Sequence, residues 1–290
     1  MRIVYHLGAH FTDEERLLKC LLNNRDVLAK QGVLVPGPKK YRHLLRDTVI
    51  ELKGGAASRD TQAVILDKIM DADQAERLIL SWDSFLSLPA WVLDKTLYPA
   101  AGERVFAFSQ IFPEIEAEFF MAIRNPATFL PMLFARIENK SYEQFIGAAD
   151  LFHIFWSETI EQIMQAAQGV PVTIWCDEDT PLIWPEVMRA IAGVGPEVDM
   201  VGEDDLLSNL MSPEGLSRLR SYMTSHPPGS VMQRRKIVSA FLDKFALADR
   251  IETEVEMPGW TQEIIDTLTR LYEEDVYRIA HMPGVNFIAP

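Results

Sequence analysis

The chain has 290 residues, of which 48% are hydrophobic and 10% aromatic, a composition typical of a globular protein rather than a disordered or fibrous one. Its 28 basic and 42 acidic residues give a formal net charge of -14, which repels polyanions, so no nucleic acid partner is expected. The longest uncharged stretch lies between Glu161 and Asp177 and is shorter than the roughly 20 apolar residues of a membrane helix, so no membrane partner is expected.

The first residues and the two cysteines bear on the compartment. The opening MRIVYHLGAH has neither the basic region nor the long apolar run of a signal peptide, so we expect a cytoplasmic protein. Cys20 and Cys176 lie far apart and have no CxxC spacing, which predicts two buried thiols rather than a disulfide or a thiolate metal site.

Short apolar runs alternate with helical stretches in the first part of the chain. Strands are predicted at residues 2–8, 77–82, 116–123 and 170–176, and helices from residue 12 onward and at 63–70, 126–137 and 151–167. Residues 32–42, rich in proline and glycine, are predicted as a loop. Such alternation indicates a parallel sheet covered on both faces, so the expected fold class is a three-layer α/β/α domain.

After about residue 210 the pattern becomes wholly helical. Residues 231–245 and 264–279 each carry an amphipathic stripe. Because no linker rich in serine, glycine or charge precedes them, we expect a single domain over 1–290. Its parallel-sheet core would span 1–210, with a helical C-terminal extension at 211–290 packed on it.

Ligands of open parallel sheets bind beyond the carboxyl ends of the strands, which points to the loop after the first strand. The candidate ligand-binding residues of this loop are Gly8, Ala9, His10 and Thr12. The helix after it would offer free N–H groups to a phosphate. However, Thr12 and Glu15 match a capping box, which predicts that the helix end is already satisfied by its own side chains.

The same loop lacks the motif of nucleoside triphosphate hydrolases. Neither the second glycine nor the lysine of GxxxxGK[ST] follows Gly8. The acidic residues 13–15 would each oppose an incoming phosphate by roughly 0.3–1 kcal/mol. Hydrolysis of ATP or GTP is therefore not expected.

Four short segments occur in the order and spacing of landmarks in a known family. The segment HLGAH at residues 6–10 resembles the first strand and phosphosulfate loop of the sulfotransferase family, whose bacterial members often have H-I-G-x-H-K-T-G-T-T. LSWDS at 80–84, AIRNP at 122–126 and LYEEDV at 271–276 resemble its second-strand turn, the strand end that contacts the cofactor 3′-phosphate, and its closing helix. The resemblance implies a P-loop sulfotransferase-like fold and, in an active member, 3′-phosphoadenosine 5′-phosphosulfate (PAPS) as sulfuryl donor.

The chain departs from the family pattern at the cofactor-binding positions. Phe11 stands where the pattern has the phosphate-binding lysine, and residues 13–15 (DEE) replace Gly-Thr-Thr, while Thr12 agrees. Met132 stands where a serine would bind the 3′-phosphate, and Phe134 where a tyrosine is common. Since loss of a charge-assisted contact costs roughly 1.5–3 kcal/mol, we expect PAPS to bind several orders of magnitude more weakly.

Several single residues each admit two interpretations. Arg124, at a predicted strand end, is suited to binding an anion or to pairing with one of the many acids. His10 is the candidate general base, or it bonds to its own loop. His6 and His10 have i, i+4 spacing, which brings two histidines together on a helix but not in a strand that runs into a glycine turn, so no metal site is expected. Asn125 followed by Pro126 predicts a helix N-cap.

Clusters of charged or aromatic residues also admit two interpretations. The acids at 177–179 follow a strand at the functional edge, where they can raise one another's pKa or form a solvated turn. The basic residues at 39–43 and 234–236 can attract an anionic partner or lie in solvent. Four tryptophans can stack a purine or fill the core, namely Trp82, Trp156, Trp175 and Trp184.

These observations lead to one functional hypothesis and two alternatives. The leading hypothesis is a divergent sulfotransferase-like protein that has lost ordinary PAPS-dependent transfer and binds another ligand or partner in the same cleft. A small anionic molecule is one candidate for this ligand. The first alternative is an active sulfotransferase with an atypical loop, in which Arg124 and backbone amides hold PAPS or its product PAP. The second is a homo-oligomeric interaction module that uses the C-terminal helices.

Overall fold

The structure is a computed structural model that describes residues 1–138, 140–251 and 256–290. At its centre lies a six-stranded sheet in which all neighbouring strands are parallel. The strands are β1 (Arg2–His6), β2 (Val33–Leu34), β3 (Arg77–Ser81), β4 (Glu116–Ile123), β5 (Val172–Cys176) and β6 (Val285–Phe287). Their spatial order is β2-β3-β1-β4-β5-β6, so β1 is central and the loops after β1, β3, β4 and β5 meet at one edge.

Helices account for most of the remaining chain. Within the described residues they are α1 (Arg16–Asn23), α2 (Arg25–Ala29), α3 (Pro38–Leu52), α4 (Arg59–Ile69), α5 (Ala101–Ser109), α6 (Pro126–Arg136), α7 (Tyr142–Ile146), α8 (Trp156–Ala167), α9 (Thr180–Ala192), α10 (Asp205–Leu210), α11 (Pro213–Ser225), α12 (Val231–Phe245), α13 (Ala248–Ile251) and α14 (Gln262–Ala280). Short 3-10 turns occur at Pro89–Trp91, Leu151–His153 and Asp177–Asp179.

The sheet is buried on both faces, which explains why its strands are continuously apolar. Side chains of a strand alternate between faces, so Tyr5 packs with α3, α4, α5, α6, α8 and α14 on one side. Its neighbour Val4 packs with α1, α2 and α9 on the other side. The predicted three-layer α/β/α fold is thereby confirmed.

Several predicted boundaries of helices were wrong, and the helix predicted at 151–167 begins only at Trp156, after a 3-10 turn at Leu151–His153. The first helix begins at Arg16 rather than Thr12, because residues before it adopt left-handed backbone conformations. Residues 38–42, expected within a loop, belong to α3, where Pro38 occupies the first helical position. Proline is favoured there because its fixed φ suits the helix and no N–H is needed.

Two strands were not predicted because they are very short. β2 has two residues and β6 has three, too few for a period-two pattern to emerge. Because β6 pairs with β5, the expectation of a wholly helical region after residue 210 is wrong at this strand. The other regular elements described in that region are helices, and α14 packs against α6 and α8.

None of the helices in the described parts of the chain is both long and apolar enough to cross a bilayer.

Candidate functional site

The first loop, residues 7–15, leaves the central strand β1 and has an unusual backbone. Gly8 has φ +53°, and a Cβ on it would lie 3.3 Å from the Cα of Asp83, so a glycine fits this close approach. Phe11, Glu14 and Glu15 also have positive φ values of 61°, 48° and 64°. Each such non-glycine residue costs about 1 kcal/mol or more, and the surrounding contacts must hold it.

Asp13 caps helix α1. Its carboxylate accepts hydrogen bonds from the backbone N–H of Glu15 at 3.2 Å and of Leu17 at 3.1 Å. The predicted capping box is therefore wrong, since the Thr12 hydroxyl instead donates to the Ala9 carbonyl at 2.7 Å. The helix end is nevertheless satisfied by a side chain of the chain itself, as expected, but by Asp13 instead of Thr12. Its carboxylate occupies the helix N-terminus where an anion would bind.

Arg124 directly follows β4 and connects the first loop to the residues that follow β5. Its Nη1 donates to the Phe11 carbonyl at 2.6 Å, and its Nε donates to the Thr128 hydroxyl at 3.1 Å. The same Nη1 lies 3.4 Å from Oδ2 of Asp177, and both side chains are only 16% exposed. Of the two interpretations of Arg124, the structure thus contains the ion pair with an acid.

The turn that carries Arg124 is held from three directions. The indole N–H of Trp156 donates to the Arg124 carbonyl at 2.7 Å, and Glu178 accepts from the N–H of Asn125 at 2.7 Å. The Asn125 amide donates to the hydroxyl of Thr269 on α14 at 3.0 Å. Its side-chain oxygen accepts from the N–H of Ala127, which confirms the predicted N-cap. The orientation of Arg124 is therefore fixed before any ligand binds.

Asp177 is the most unusual acid at this edge. Burial raises the pKa of its carboxyl well above the ordinary range, although the guanidinium of Arg124 acts in the opposite direction. Nearby Glu178 and Asp13 raise the pKa further. Among the acids at 177–179, Asp177 and Glu178 thus make specific contacts, and the interpretation as a merely solvated turn is wrong for these two.

These groups surround a cavity of about 180 Å³ at the carboxyl edge. Its charged lining consists of Asp13, Glu14, Arg16, Arg124 and Asp177, and its apolar lining of Phe11, Pro181, Trp184, Leu206 and Leu210. Thr12 and Thr180 complete the wall. Of the residues expected to bind a ligand, Thr12 and Arg124 come together here, whereas Gly8, Ala9 and His10 lie outside the described lining.

His10 lies beside Tyr98 instead. The Tyr98 hydroxyl accepts the backbone N–H of His10 at 3.0 Å and lies 2.8 Å from its Nδ1. When the Tyr98 hydroxyl donates to Nδ1, the ring proton lies on Nε2, which is buried with no partner among the described atoms. In that tautomer neither nitrogen has a free lone pair, and in the other tautomer the free lone pair lies on the buried Nε2, so the general-base role of His10, still a prediction, would require the surrounding side chains to move.

His6 is a second buried histidine under the same loop. Its Nδ1 lies 2.9 Å from the Ser81 hydroxyl, and its ring stacks on Trp175 at 5.9 Å between centroids. Burial lowers the pKa of both His6 and His10, while the nearby Asp83 carboxylate partly offsets this effect. Both rings are therefore neutral at physiological pH.

Three arginines of the basic clusters are engaged within the protein, whereas Lys39, His43 and Lys236 are exposed. Arg42 donates to the Ser81 carbonyl at 3.0 Å and pairs with Glu15 of the first loop at 2.5 Å. Arg234 donates to the Leu182 carbonyl, and Arg235 to the Ala289 carbonyl. The sequence alternatives for these arginines, anion binding or solvation, did not include the inward, backbone-directed contacts that they make.

The tryptophans mainly serve the core. Trp156, Trp175 and Trp184 are buried, and Trp82 is partly buried against the larger core cluster. Cys20 and Cys176 are free buried thiols, as predicted. Across residues 1–138, 140–251 and 256–290, no group of three or more His, Cys, Asp or Glu side chains is arranged to hold a metal ion.

Sequence analysis missed three roles at the site, namely Asp13 as the helix cap, Tyr98 as the partner of His10, and Arg42 as the partner of Glu15. Only the acidic character of residue 13 was a usable signal, because aspartate is among the favoured helix caps. Comparison with known proteins adds no constraint, since neither a family model nor a curated protein matches the chain.

Proposed function

We propose that this chain is a divergent sulfotransferase-like protein that has lost ordinary PAPS-dependent transfer and binds another ligand in the carboxyl-edge cleft. The observation that carries the proposal is the Asp13 carboxylate, which accepts from two N–H groups at the start of α1. A phosphate of the sulfuryl donor at that helix end would have to displace this carboxylate and would then be repelled by its negative charge.

The charges around the cavity support the same proposal. Its lining contains three carboxylates and two guanidiniums, and both guanidiniums already have partners. Arg124 is bound to the Phe11 carbonyl and Arg16 is paired with Glu14 at 3.3 Å. A multiply charged anion would have to break these contacts, so the cleft favours a neutral or cationic ligand.

One observation favours the alternative of an active sulfotransferase. Arg42 and Arg124 hold the first loop from its two sides, through Glu15 and Phe11. If the loop opened, both guanidiniums would be free to bind phosphates. The alternative therefore predicts measurable affinity for the product nucleotide, whereas our proposal predicts none.

The test is the effect of adenosine 3′,5′-bisphosphate on thermal unfolding. We expect millimolar nucleotide to leave the Tm of the wild-type protein unchanged, whereas a ligand at about 100 times its Kd would stabilise the fold by about 2.7 kcal/mol. A clear increase in Tm would contradict the proposal. Loss of that increase in Arg124→Lys would then favour the active enzyme.

A second test removes the internal carboxylate. We expect Asp13→Ala to lower the free energy of unfolding by about 1–2 kcal/mol, because two N–H groups at the start of α1 lose their acceptor. If Asp13 substitutes for an external anion, phosphate should then raise the Tm of this variant and not that of the wild type.

The matched control is Glu14→Ala, which removes an exposed carboxylate from the same loop. Glu14 pairs only with Arg16 among its described contacts, so its removal changes the local charge without uncapping the helix. An equal response to phosphate in Glu14→Ala would assign the effect to net charge and contradict the role given to Asp13.

A further inference from the structure

A second cavity lies between the loop that follows β3 and the short helix α7. It encloses about 390 Å³ and shares none of its described lining with the carboxyl-edge cleft. This volume falls within the roughly 300–1,000 Å³ of small-molecule sites, which combine apolar walls with a few polar groups. Its walls include Trp91, Leu93 and Phe145, and its polar groups are Asp94, Lys140 and Gln144.

Trp91 is the most conspicuous side chain of this cavity, since it is 71% exposed. The turn that carries it is nevertheless firmly anchored. The N–H of Trp91 donates to the Leu88 carbonyl at 2.9 Å, and the N–H of Tyr98 donates to the Val92 carbonyl at 2.7 Å. Val92 and Tyr98 are completely buried. The backbone that presents this large flat apolar surface is therefore held in place, which reduces the entropy lost when a ligand stacks on it.

The polar groups supply both hydrogen-bond donors and acceptors. Asp94 is exposed at the cavity and offers carboxylate oxygens. Gln144 uses its Oε1 to accept from the N–H of Ser141, which leaves its amide protons for a ligand. Lys140 donates to the Ala90 carbonyl at 3.1 Å and has further protons to donate. The charges of Asp94 and Lys140 cancel, so the lining as a whole selects neither a cation nor an anion.

We propose that this cavity binds a neutral carbohydrate, with one sugar ring stacked on the indole of Trp91. The face of an aromatic ring is negative and attracts the partly positive C–H bonds of a sugar ring. Hydroxyl groups are both donors and acceptors, which matches the carboxylate, ammonium and amide of the lining. The proposal is independent of the function assigned to the carboxyl-edge cleft, because it rests on other residues.

The experiment titrates the full chain with maltose, cellobiose and lactose at millimolar concentration, followed by calorimetry and ligand-observed NMR. We expect at least one disaccharide to bind the wild type, and Trp91→Ala to weaken its binding about tenfold or more through loss of the stacking contact. Tyr277→Ala is the matched control, since Tyr277 is 70% exposed on α14 and lies outside the described lining of the cavity. It should bind as the wild type does.

Choline and inorganic phosphate serve as charged probes of the same cavity. Failure of all three disaccharides to bind would overturn the proposal, as would binding that Trp91→Ala leaves unchanged. Binding of choline or phosphate that depends on Trp91, without binding of a disaccharide, would also overturn it. Because Trp91 is mainly exposed, the variant is expected to fold, and circular dichroism checks this.

Discussion

Replacing Arg124 by alanine should lower the free energy of unfolding by about 3–5 kcal/mol at neutral pH, the usual effect of removing one partner of a buried ion pair. The carboxylate of Asp177 would remain largely buried without its guanidinium, and the Phe11 carbonyl would lose its donor. Urea denaturation of the wild type and the variant measures the difference. The expected size reflects a structural role of Arg124 that exists without any ligand.

The control is Asp177→Asn in the Arg124→Ala background, which removes the unpaired charge and should restore much of the lost stability. The pH dependence provides a second check. Because burial raises the folded-state pKa of Asp177, the cost of its charged form accumulates as pH rises from the ordinary aspartate pKa of about 4 through that raised value. The defect of Arg124→Ala should therefore be smallest near about pH 4 and larger at neutral pH. An equal defect at both pH values would assign it to lost packing instead.

Acidification should destabilise the protein through His6 and His10. Burial lowers the pKa of both rings in the folded state, so the unfolded chain binds protons at a pH where the folded chain does not. Stability from the neutral rings is complete above the ordinary histidine pKa of about 6.5 and is lost as pH falls below it. The expected slope reaches about 1.4 kcal/mol per pH unit for each histidine. Urea midpoints between about pH 7 and pH 5 measure it.

Three variants separate this effect from general acid denaturation. His6→Phe and His10→Phe should each remove part of the slope between these pH values, whatever their effect on absolute stability. His43→Gln is the control and should leave the slope unchanged, since His43 is exposed on α3 and its side chain makes no hydrogen bond or ion pair within the described part of the chain. If His6→Phe and His10→Phe both kept the wild-type slope, the buried histidines would not be its source.

The sheet could be predicted from the sequence because its main strands are long and apolar. The run EAEFFMAI was placed at the observed bounds of β4, and RLILS lay within the predicted strand. β2 and β6 could not be found, since their pairing depends on neighbouring strands rather than on a local pattern. Likewise, the proline and glycine around residues 36–38 suggested a loop, although Pro38 begins a helix.

The site was less predictable because it depends on backbone conformation and on contacts distant in sequence. Nothing local indicates that Phe11, Glu14 and Glu15 adopt positive φ values, yet these values delay α1 and give its cap to Asp13 rather than Thr12. The pairing of Arg124 with Asp177 joins residues 53 positions apart. Sequence analysis named Arg124 and the acids at 177–179 as candidates, but only the fold could pair them.

The hydrogen bond between Asn125 and Thr269 joins residues 144 positions apart. It connects α14 to the turn that carries Arg124. Glu178 strengthens this link, since it accepts from the Tyr272 hydroxyl at 3.0 Å as well as from Asn125. A displacement of α14 would therefore strain both contacts with the Arg124 turn. The position of this turn is thus coupled to the position of the C-terminal helix.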